Sequence, residues 1–113
     1  MVSTNLSFKE KREQMVKTQL IARDIVDKEV LRAMAEVPRH QFLPDDIWDR
    51  AYDDMPLPIE EMQTISQPYI VAYMIQALSI KKGDRILEVG TGSGYQTALL
   101  AEIHEKVYTV EIR

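Results

Sequence analysis

Three glycines within five residues form the segment of this sequence best suited to bind a ligand. Gly90, Gly92 and Gly94 follow an apolar run at residues 85–89 and precede a run with helical spacing that begins at Tyr95. Because glycine has no Cβ, a ligand can approach the backbone of such a turn closely. The N-terminus of the following helix adds free N–H groups and a partial positive charge. The segment is therefore expected to bind a nucleotide or an amino-acid carboxylate.

The spacing of these glycines indicates which nucleotide cofactor the turn would accept. The dinucleotide-binding fingerprint places glycines at its first, third and sixth positions. Here they stand at the first, third and fifth positions, and Tyr95 stands at the sixth. The spacing therefore favours S-adenosylmethionine over NAD. The alternative without a ligand is a glycine-rich turn that only lets a strand and a helix pack tightly.

A second candidate binding residue, Glu111, follows the next apolar run. It lies 21 positions after Gly90. An acidic residue about 20 positions beyond the first glycine of a nucleotide-binding turn can accept hydrogen bonds from ribose hydroxyls. A lone glutamate is more often a solvated surface charge, but this position favours the ribose role.

The N-terminal part of the chain is predicted to form two helices. Ser7 and Glu10 have the spacing of a capping box, and the apolar residues that follow predict a helix to about Ala22. Asp27 is the predicted cap of a second helix, which Pro38 ends.

Prolines interrupt residues 38–63, so no long regular element is expected there. Pro68 suits the first turn of a third helix, and Ser66 or Gln67 could cap it. A capping serine would need no further role. The predicted buried face of this helix consists of Ile70, Val71, Met74, Ile75 and Leu78.

A strand–helix–strand unit is predicted at the C-terminal end. Residues 85–89 and 106–112 read as strands, and residues 95–103 read as the helix between them. The predicted fold class is therefore α/β, with an N-terminal helical cap. Parallel sheets are normally wider than two strands and covered on both faces. We therefore expect these residues to be the first part of a larger domain, truncated after its second strand and prone to self-association.

Composition excludes several classes of function. The chain of 113 residues has a net charge of −4, which argues against a nucleic-acid binder. The chain contains no cysteine, which excludes disulfides and thiolate chemistry, and no metal site is expected. A polar N-terminus and the lack of an apolar run of about 20 residues argue against a signal peptide or membrane span. A cytoplasmic location is expected.

Three sets of motifs resemble the protein-L-isoaspartate O-methyltransferase family and occur in the family's order. They are VPRHQFLP at residues 37–44, AYDD at 51–54 with PLPI at 56–59, and QTISQPYIVA at 63–72 leading to LEVGTGSGY at 87–95. The family tends to have small, glycine-rich residues before QTIS, whereas this chain has Glu60, Glu61 and Met62. That departure bears on how the segment closes over a substrate.

The resemblance implies a Rossmann-like, S-adenosylmethionine-dependent methyltransferase fold. Residues 1–80 would form the N-terminal helical region with the TIS segment (residues 63–66), and residues 81–113 the first βαβ unit of the cofactor-binding domain. The implied reaction transfers a methyl group from S-adenosylmethionine to the free carboxylate of L-isoaspartyl residues in damaged proteins, which begins their repair.

The resemblance also implies roles for individual residues. Ser66 would lie beside the reacting carboxylate and methyl group, whereas His40, in a Pro-Arg-His turn, is interpreted as structural and not as a base. The implied cofactor contacts are Gln63, Thr64, Ile65, Gly90, Thr91, Gly92, Ser93 and Glu111.

Three other interpretations stay open on the sequence. The first is a methyltransferase for another acceptor, such as a small molecule or a nucleic acid. The second is a non-catalytic fragment that binds a partner or assembles with its missing half. The third, an NAD enzyme, is disfavoured by Tyr95 at the place of the last glycine.

Overall fold

A computed structural model describes residues 6–60 and 62–111 of the chain. Within these residues, four α-helices and four short strands alternate with 3₁₀-helical and π-helical turns. In chain order they are α1 (Phe8–Met15), a π-helical turn (Val16–Ile21), α2 (Lys28–Glu36), two 3₁₀ turns (Arg39–Phe42 and Asp45–Arg50), β1 (Leu57–Pro58), β2 (Thr64–Ile65), α3 (Pro68–Leu78), β3 (Ile86–Val89), α4 (Tyr95–Ile103) and β4 (Val107–Val110).

Both predicted N-terminal caps are confirmed. The Ser7 hydroxyl accepts from the Glu10 N–H at 3.1 Å, and the Glu10 carboxylate accepts from the Ser7 N–H at 2.9 Å. The helix runs to Ile21 as predicted, but its hydrogen bonding changes from α to π at Val16. The Asp27 carboxylate caps α2 by accepting from two backbone N–H groups of its first turn. Local side-chain chemistry therefore fixes where both helices begin.

The proline-rich stretch contains more regular structure than predicted. The prolines do prevent long elements, yet two 3₁₀ turns form, and β1 pairs antiparallel with β2. Leu57 lies opposite Ile65 in this pair, and both side chains are buried. So short a strand pair is stable here because it buries the side chains of Leu57 and Ile65 against each other where the chain reverses.

Helix α3 begins at Pro68 as predicted, but its predicted buried face is only partly correct. Val71 and Ile75 are buried, together with Ala72, which the prediction omitted. The other three predicted members are 40%, 51% and 56% exposed, in the order Ile70, Met74 and Leu78. The helix packs through a narrower stripe against α2 and the π-helical turn, and the small Ala72 side chain lies on that stripe.

The strand–helix–strand unit is confirmed, although the predicted end of its second strand, at Ile112, lies outside the described residues. β3 and β4 are parallel, with Ile86 opposite Val107, and α4 connects them. Leu99 and Leu100 of α4 are buried in the core. The opposite face of this two-stranded sheet is apolar and exposed, with exposed fractions of 63% for Leu87, 65% for Val89, 58% for Tyr108 and 47% for Val110.

One hydrophobic core joins the N-terminal helices to the βαβ unit. Met15, Leu20, Met34, Ile75 and Leu99 are at most 2% exposed and belong to the same cluster. Helix α2 contacts both α3 and α4, so it connects the N-terminal helical region to the βαβ unit. No helix among the described residues has both the length and the apolar character needed to cross a bilayer.

An aromatic cluster around His40 attaches α1 to the following turns. The His40 ring stacks on Phe8 with centroids 4.0 Å apart and meets the edge of Trp48 at 5.0 Å. Its Nδ1 lies 2.9 Å from the Tyr52 hydroxyl, which also accepts from the Arg12 guanidinium at 3.1 Å. Burial, and then the charge of Arg12, lower the pKa of His40. The neutral ring therefore suits this cluster, with Nδ1 accepting a hydrogen bond from the Tyr52 hydroxyl.

This lowered pKa predicts acid sensitivity of the fold. Below about pH 6.5, the usual histidine pKa, the unfolded chain takes up a proton that folded His40 resists. The free energy of unfolding should therefore be fully present above that pH and fall as the pH drops towards the lower folded pKa. Urea denaturation at pH 7.5 and 5.5 should show this loss, and His40→Phe, which keeps an aromatic stack, should reduce it. An equal loss in both proteins would contradict the assignment.

Candidate functional site

The glycine turn between β3 and α4 has the left-handed backbone that its composition requires. Gly90, Gly92 and Gly94 have φ angles of +85°, +56° and +87°, which other residues rarely adopt. A Cβ built on Gly90 or Gly92 would meet nothing within 4 Å. Backbone conformation, and not space inside the protein, therefore explains these glycines. The side of the turn where their Cβ atoms would lie is open to a ligand.

The structure brings Glu111 to this turn. Its carboxylate accepts a hydrogen bond from the Gly92 N–H at 2.9 Å, and the Gly90 N–H donates to the Val110 carbonyl at 2.6 Å. Two candidate binding residues separated by 19 positions in the chain are thus in direct contact. This juxtaposition matches the placement of an acidic residue beside a nucleotide-binding turn.

A buried glutamate that sequence reasoning missed is hydrogen-bonded to threonines next to the glycine turn. Glu88 is 8% exposed, and its carboxylate accepts from the hydroxyls of Thr97 and Thr109, the latter at 2.8 Å. Thr109 Oγ1 is also 2.6 Å from Thr91 Oγ1. Because the single Thr109 proton goes to Glu88, Thr91 donates to Thr109. A glutamate inside an apolar strand, with threonines on the next helix and strand, was the available signal.

The four residues of the predicted TIS segment differ in exposure. The Gln63 carbonyl accepts from the Ile59 N–H at 2.8 Å, and this side chain is half-buried. Thr64 and Ser66 are exposed, whereas Ile65 is buried. Ser66 is not the helix cap: the N-cap of α3 is Gln67, which makes no capping hydrogen bond through its side chain. The interpretation of Ser66 as a cap is therefore wrong, because the helix begins one residue too late for it.

A hydrogen-bonded cluster of Arg23, Asp54 and Gln67 fixes the residue that follows Ser66. The Gln67 side chain donates to the Asp54 carboxylate at 2.7 Å, and Arg23 pairs with both oxygens of the same carboxylate. The hydrogen bond from Arg23, and then the one from Gln67, lower the pKa of Asp54. The end of the TIS segment is thus attached to the segment that follows the π-helical turn.

Arg39 connects the TIS segment to the start of α4. Its guanidinium is fully buried; Nε donates to the Ala51 carbonyl at 2.6 Å and Nη2 to the Ser66 carbonyl at 2.9 Å. The same guanidinium lies 5.0 Å from the ring centroid of Tyr95, the residue that follows Gly94. Burial raises the pKa of Tyr95 to about 12. Sequence reasoning noted Arg39 only as part of a motif.

Phe42 completes this connection. Its ring lies 5.7 Å from the Tyr95 ring, and its side-chain carbons would be 3.9 Å from a Cβ on Gly94. The 3₁₀ turn Arg39–Phe42 therefore touches both candidate segments, the TIS segment through Arg39 and the glycine turn through Phe42. Among the described residues, no group of three or more His, Asp or Glu side chains could hold a metal ion.

Comparison with known proteins now identifies the family. A family model described as protein-L-isoaspartate(D-aspartate) O-methyltransferase matches residues 10–112. The chain belongs to this family. The resemblance seen in the sequence motifs is thereby confirmed, and the interpretation as an NAD enzyme is set aside.

Relatives of the methyltransferase family cover nearly the whole chain. The protein-L-isoaspartate O-methyltransferase of Opitutus terrae is 61% identical over 101 residues, which is 89% of this chain and 43% of that protein. The protein-L-isoaspartate O-methyltransferase 2 of Shewanella sediminis is 58% identical over 102 residues, 90% of this chain and 42% of that protein. The chain thus spans less than half the length of either relative.

Solved structures of the family share this fold. One protein-L-isoaspartate O-methyltransferase matches with a TM-score of 0.68 and 31% identity, over 93% of this chain and 34% of its own. A Plasmodium falciparum relative, crystallised with S-adenosyl-L-homocysteine, matches with a TM-score of 0.67 and 25% identity, over 95% of this chain and 49% of its own. The α/β architecture is therefore that of the N-terminal part of these methyltransferases.

Proposed function

We propose that the complete protein carrying this chain transfers a methyl group from S-adenosylmethionine to the free carboxylate of L-isoaspartyl residues in damaged proteins. The observation that carries the proposal is the family match over residues 10–112. The Plasmodium falciparum relative binds S-adenosyl-L-homocysteine, the compound that S-adenosylmethionine becomes when it loses its methyl group. The open glycine turn with Glu111 beside it supports the same cofactor here.

The cofactor side of the proposed site consists of the Rossmann-like βαβ unit within residues 81–113. The turn from Gly90 to Ser93, including Thr91 and Gly92, would receive the amino-acid part of the cofactor, and Glu111 its ribose. Residues 1–80 would carry the substrate side, where Gln63, Thr64 and Ile65 line the pocket next to the cofactor. The contacts of Arg39 with both sides support this division of roles.

Ser66 is the proposed residue beside the reacting groups. A substrate carboxylate is already ionised at pH 7, and the sulfonium is a good leaving group, so the reaction needs no strong general base. The protein would contribute alignment of carboxylate, methyl and sulfur, together with exclusion of water. His40 is 7% exposed and bonded to Tyr52, which supports a structural role for it.

The experiment that tests this function uses the complete protein and labelled S-adenosylmethionine. An isoaspartyl peptide should be methylated, whereas the same peptide with a normal aspartyl residue should not. Small acceptors and nucleic acid form the comparison set. Transfer to one of these acceptors and not to the isoaspartyl peptide would replace the proposed substrate with another acceptor class.

Substitution of Glu111 tests the cofactor side. Glu111→Ala removes charge-assisted hydrogen bonds worth about 1.5–3 kcal/mol each, so the affinity for S-adenosylmethionine should fall roughly tenfold or more. Glu111→Gln keeps an acceptor for the Gly92 N–H but removes the charge. It therefore separates the effect of the charge from the effect of the hydrogen bond that supports the turn. Glu111→Asp should lose less than Glu111→Ala does. Calorimetry should show no change for the exposed control Glu105→Ala, and an unchanged Kd for Glu111→Ala would remove the ribose assignment.

Substitution of Ser66 tests the substrate side. Ser66 is exposed and is not a cap, so Ser66→Ala should change the free energy of unfolding by no more than about 0.5 kcal/mol. Methyl transfer should nevertheless fall by an order of magnitude or more, because misplacement of a reacting group by about 1 Å can cost ~10²-fold. Thr18→Ala, on an exposed helical turn, is the control. Full activity of Ser66→Ala would leave the residue without a role in the reaction.

The exposed sheet face supports a proposal for the 113-residue chain by itself. Leu87, Val89, Tyr108 and Val110 present four apolar side chains on one face of a two-stranded parallel sheet, and such faces and edges recruit other chains. In isolation the chain should therefore self-associate and lack methyltransferase activity. Sedimentation equilibrium that gives a monomer, or methyl transfer by the isolated chain, would contradict this.

A further inference from the structure

Arg39 carries a buried charge that pairs with no carboxylate among the described residues. Its side chain is 0% exposed, and the ion pairs among residues 6–60 and 62–111 involve other residues. Within the same residues, its Nη1 has no hydrogen-bond partner. Two backbone carbonyls accept from this guanidinium, and the face of the Tyr95 ring packs against it. Burial lowers the pKa of Arg39, and the adjacent Tyr95 opposes this effect.

Such an arrangement is not expected to stabilise the fold by itself. A buried charge that lacks an opposite charge is costly to desolvate, and apolar side chains of similar volume often serve a core equally well or better. What the guanidinium does contribute is geometry. Its planar fork donates in two fixed directions while its face packs on an aromatic ring, and a lysine or an apolar residue cannot do both.

We propose that Arg39 is a positioning residue for methyl transfer: it fixes the backbone at Ser66 relative to the first turn of α4. This rests on the proposed function, since Ser66 is the residue placed beside the reacting carboxylate. The two ends of the link are the Ser66 carbonyl, at 2.9 Å from Nη2, and the Tyr95 ring, which follows Gly94 directly.

The contact sets the orientation of one peptide plane. The bond between Ser66 and Gln67 is trans, so its carbonyl and its N–H point in opposite directions. With the carbonyl directed inward to Arg39, the Gln67 N–H is turned away from Arg39. The Ser66 side chain remains exposed. Loss of the guanidinium would free this plane to rotate and would move the Ser66 hydroxyl with it.

The test compares two substitutions with two controls in the complete protein. Arg39→Lys keeps the charge but loses the fork, and Arg39→Met keeps an apolar stem and loses both. Arg32→Met removes an exposed arginine that pairs with Glu29 and Glu102, so it controls for loss of an arginine. Leu20→Ala, in the core, controls for loss of stability without a contact to Ser66.

The measurements separate positioning from folding. For both Arg39 variants, kcat with an isoaspartyl peptide should fall roughly tenfold or more, while the Kd for S-adenosyl-L-homocysteine changes less. Hydrogen exchange should accelerate in peptides covering residues 62–67 and not in those covering residues 8–22. Arg32→Met should keep kcat, and Leu20→Ala should keep kcat per folded molecule at a comparable loss of Tm.

Two results would overturn the proposal. The first is a kcat within about twofold of the parent in Arg39→Lys, which keeps the charge and so is the variant to rely on if Arg39→Met does not fold. The second is an equal loss of kcat in Leu20→Ala. If the parent protein methylates no isoaspartyl peptide, the proposed function fails on its own. Local exchange at residues 62–67 then still decides whether Arg39 holds the Ser66 segment, and unchanged exchange overturns that.

Discussion

The parallel pairing of β3 with β4 is the constraint on which the arrangement around the glycine turn depends. Parallel strands end at the same edge of a sheet, and the register places Val89 opposite Val110. The residues that follow each strand therefore meet, and Glu111 comes to lie against the N–H of Gly92. A shift of one residue would turn every side chain of β4 to the other face. The hydroxyl of Thr109 would then no longer reach Glu88 or Thr91.

The second half of the site is held by contacts that begin far away in sequence. The 3₁₀ turn Arg39–Phe42 reaches the Ser66 carbonyl on one side and the ring of Tyr95 on the other. It is supported in turn by the cluster in which His40 stacks on Phe8. The same 3₁₀ turn therefore packs against α1 through His40 and bonds the Ser66 carbonyl through Arg39. In the proposed site, the N-terminal helices would thus contribute geometry, while Ser66 would lie beside the reacting groups.

Sequence reasoning predicted the elements whose signals are local. A capping carboxylate at Asp27, a proline at the first turn of α3 and glycines at left-handed positions each act within a few residues. The short pair β1–β2 and the buried face of α3 depend on what packs against them, which a single sequence does not contain. The omission of Ala72 and the inclusion of Met74 in that face have this cause.

The residues proposed to bind and orient were harder to predict than the motifs that contain them, and the reason is chemical. For the proposed transfer of a methyl group to a carboxylate that is already ionised, a search for acids and bases draws attention to His40, which is buried and bonded to Tyr52. The contacts that set positions instead involve backbone carbonyls and N–H groups, at Ser66, Ala51 and Gly92. Every residue has the same backbone groups, so the sequence does not show which of them matter. It shows only the side chains that bond to them. Arg39, which pairs with no carboxylate in the described part of the chain, and Glu88, inside an apolar strand, are such side chains. Each needs partners that the fold must provide.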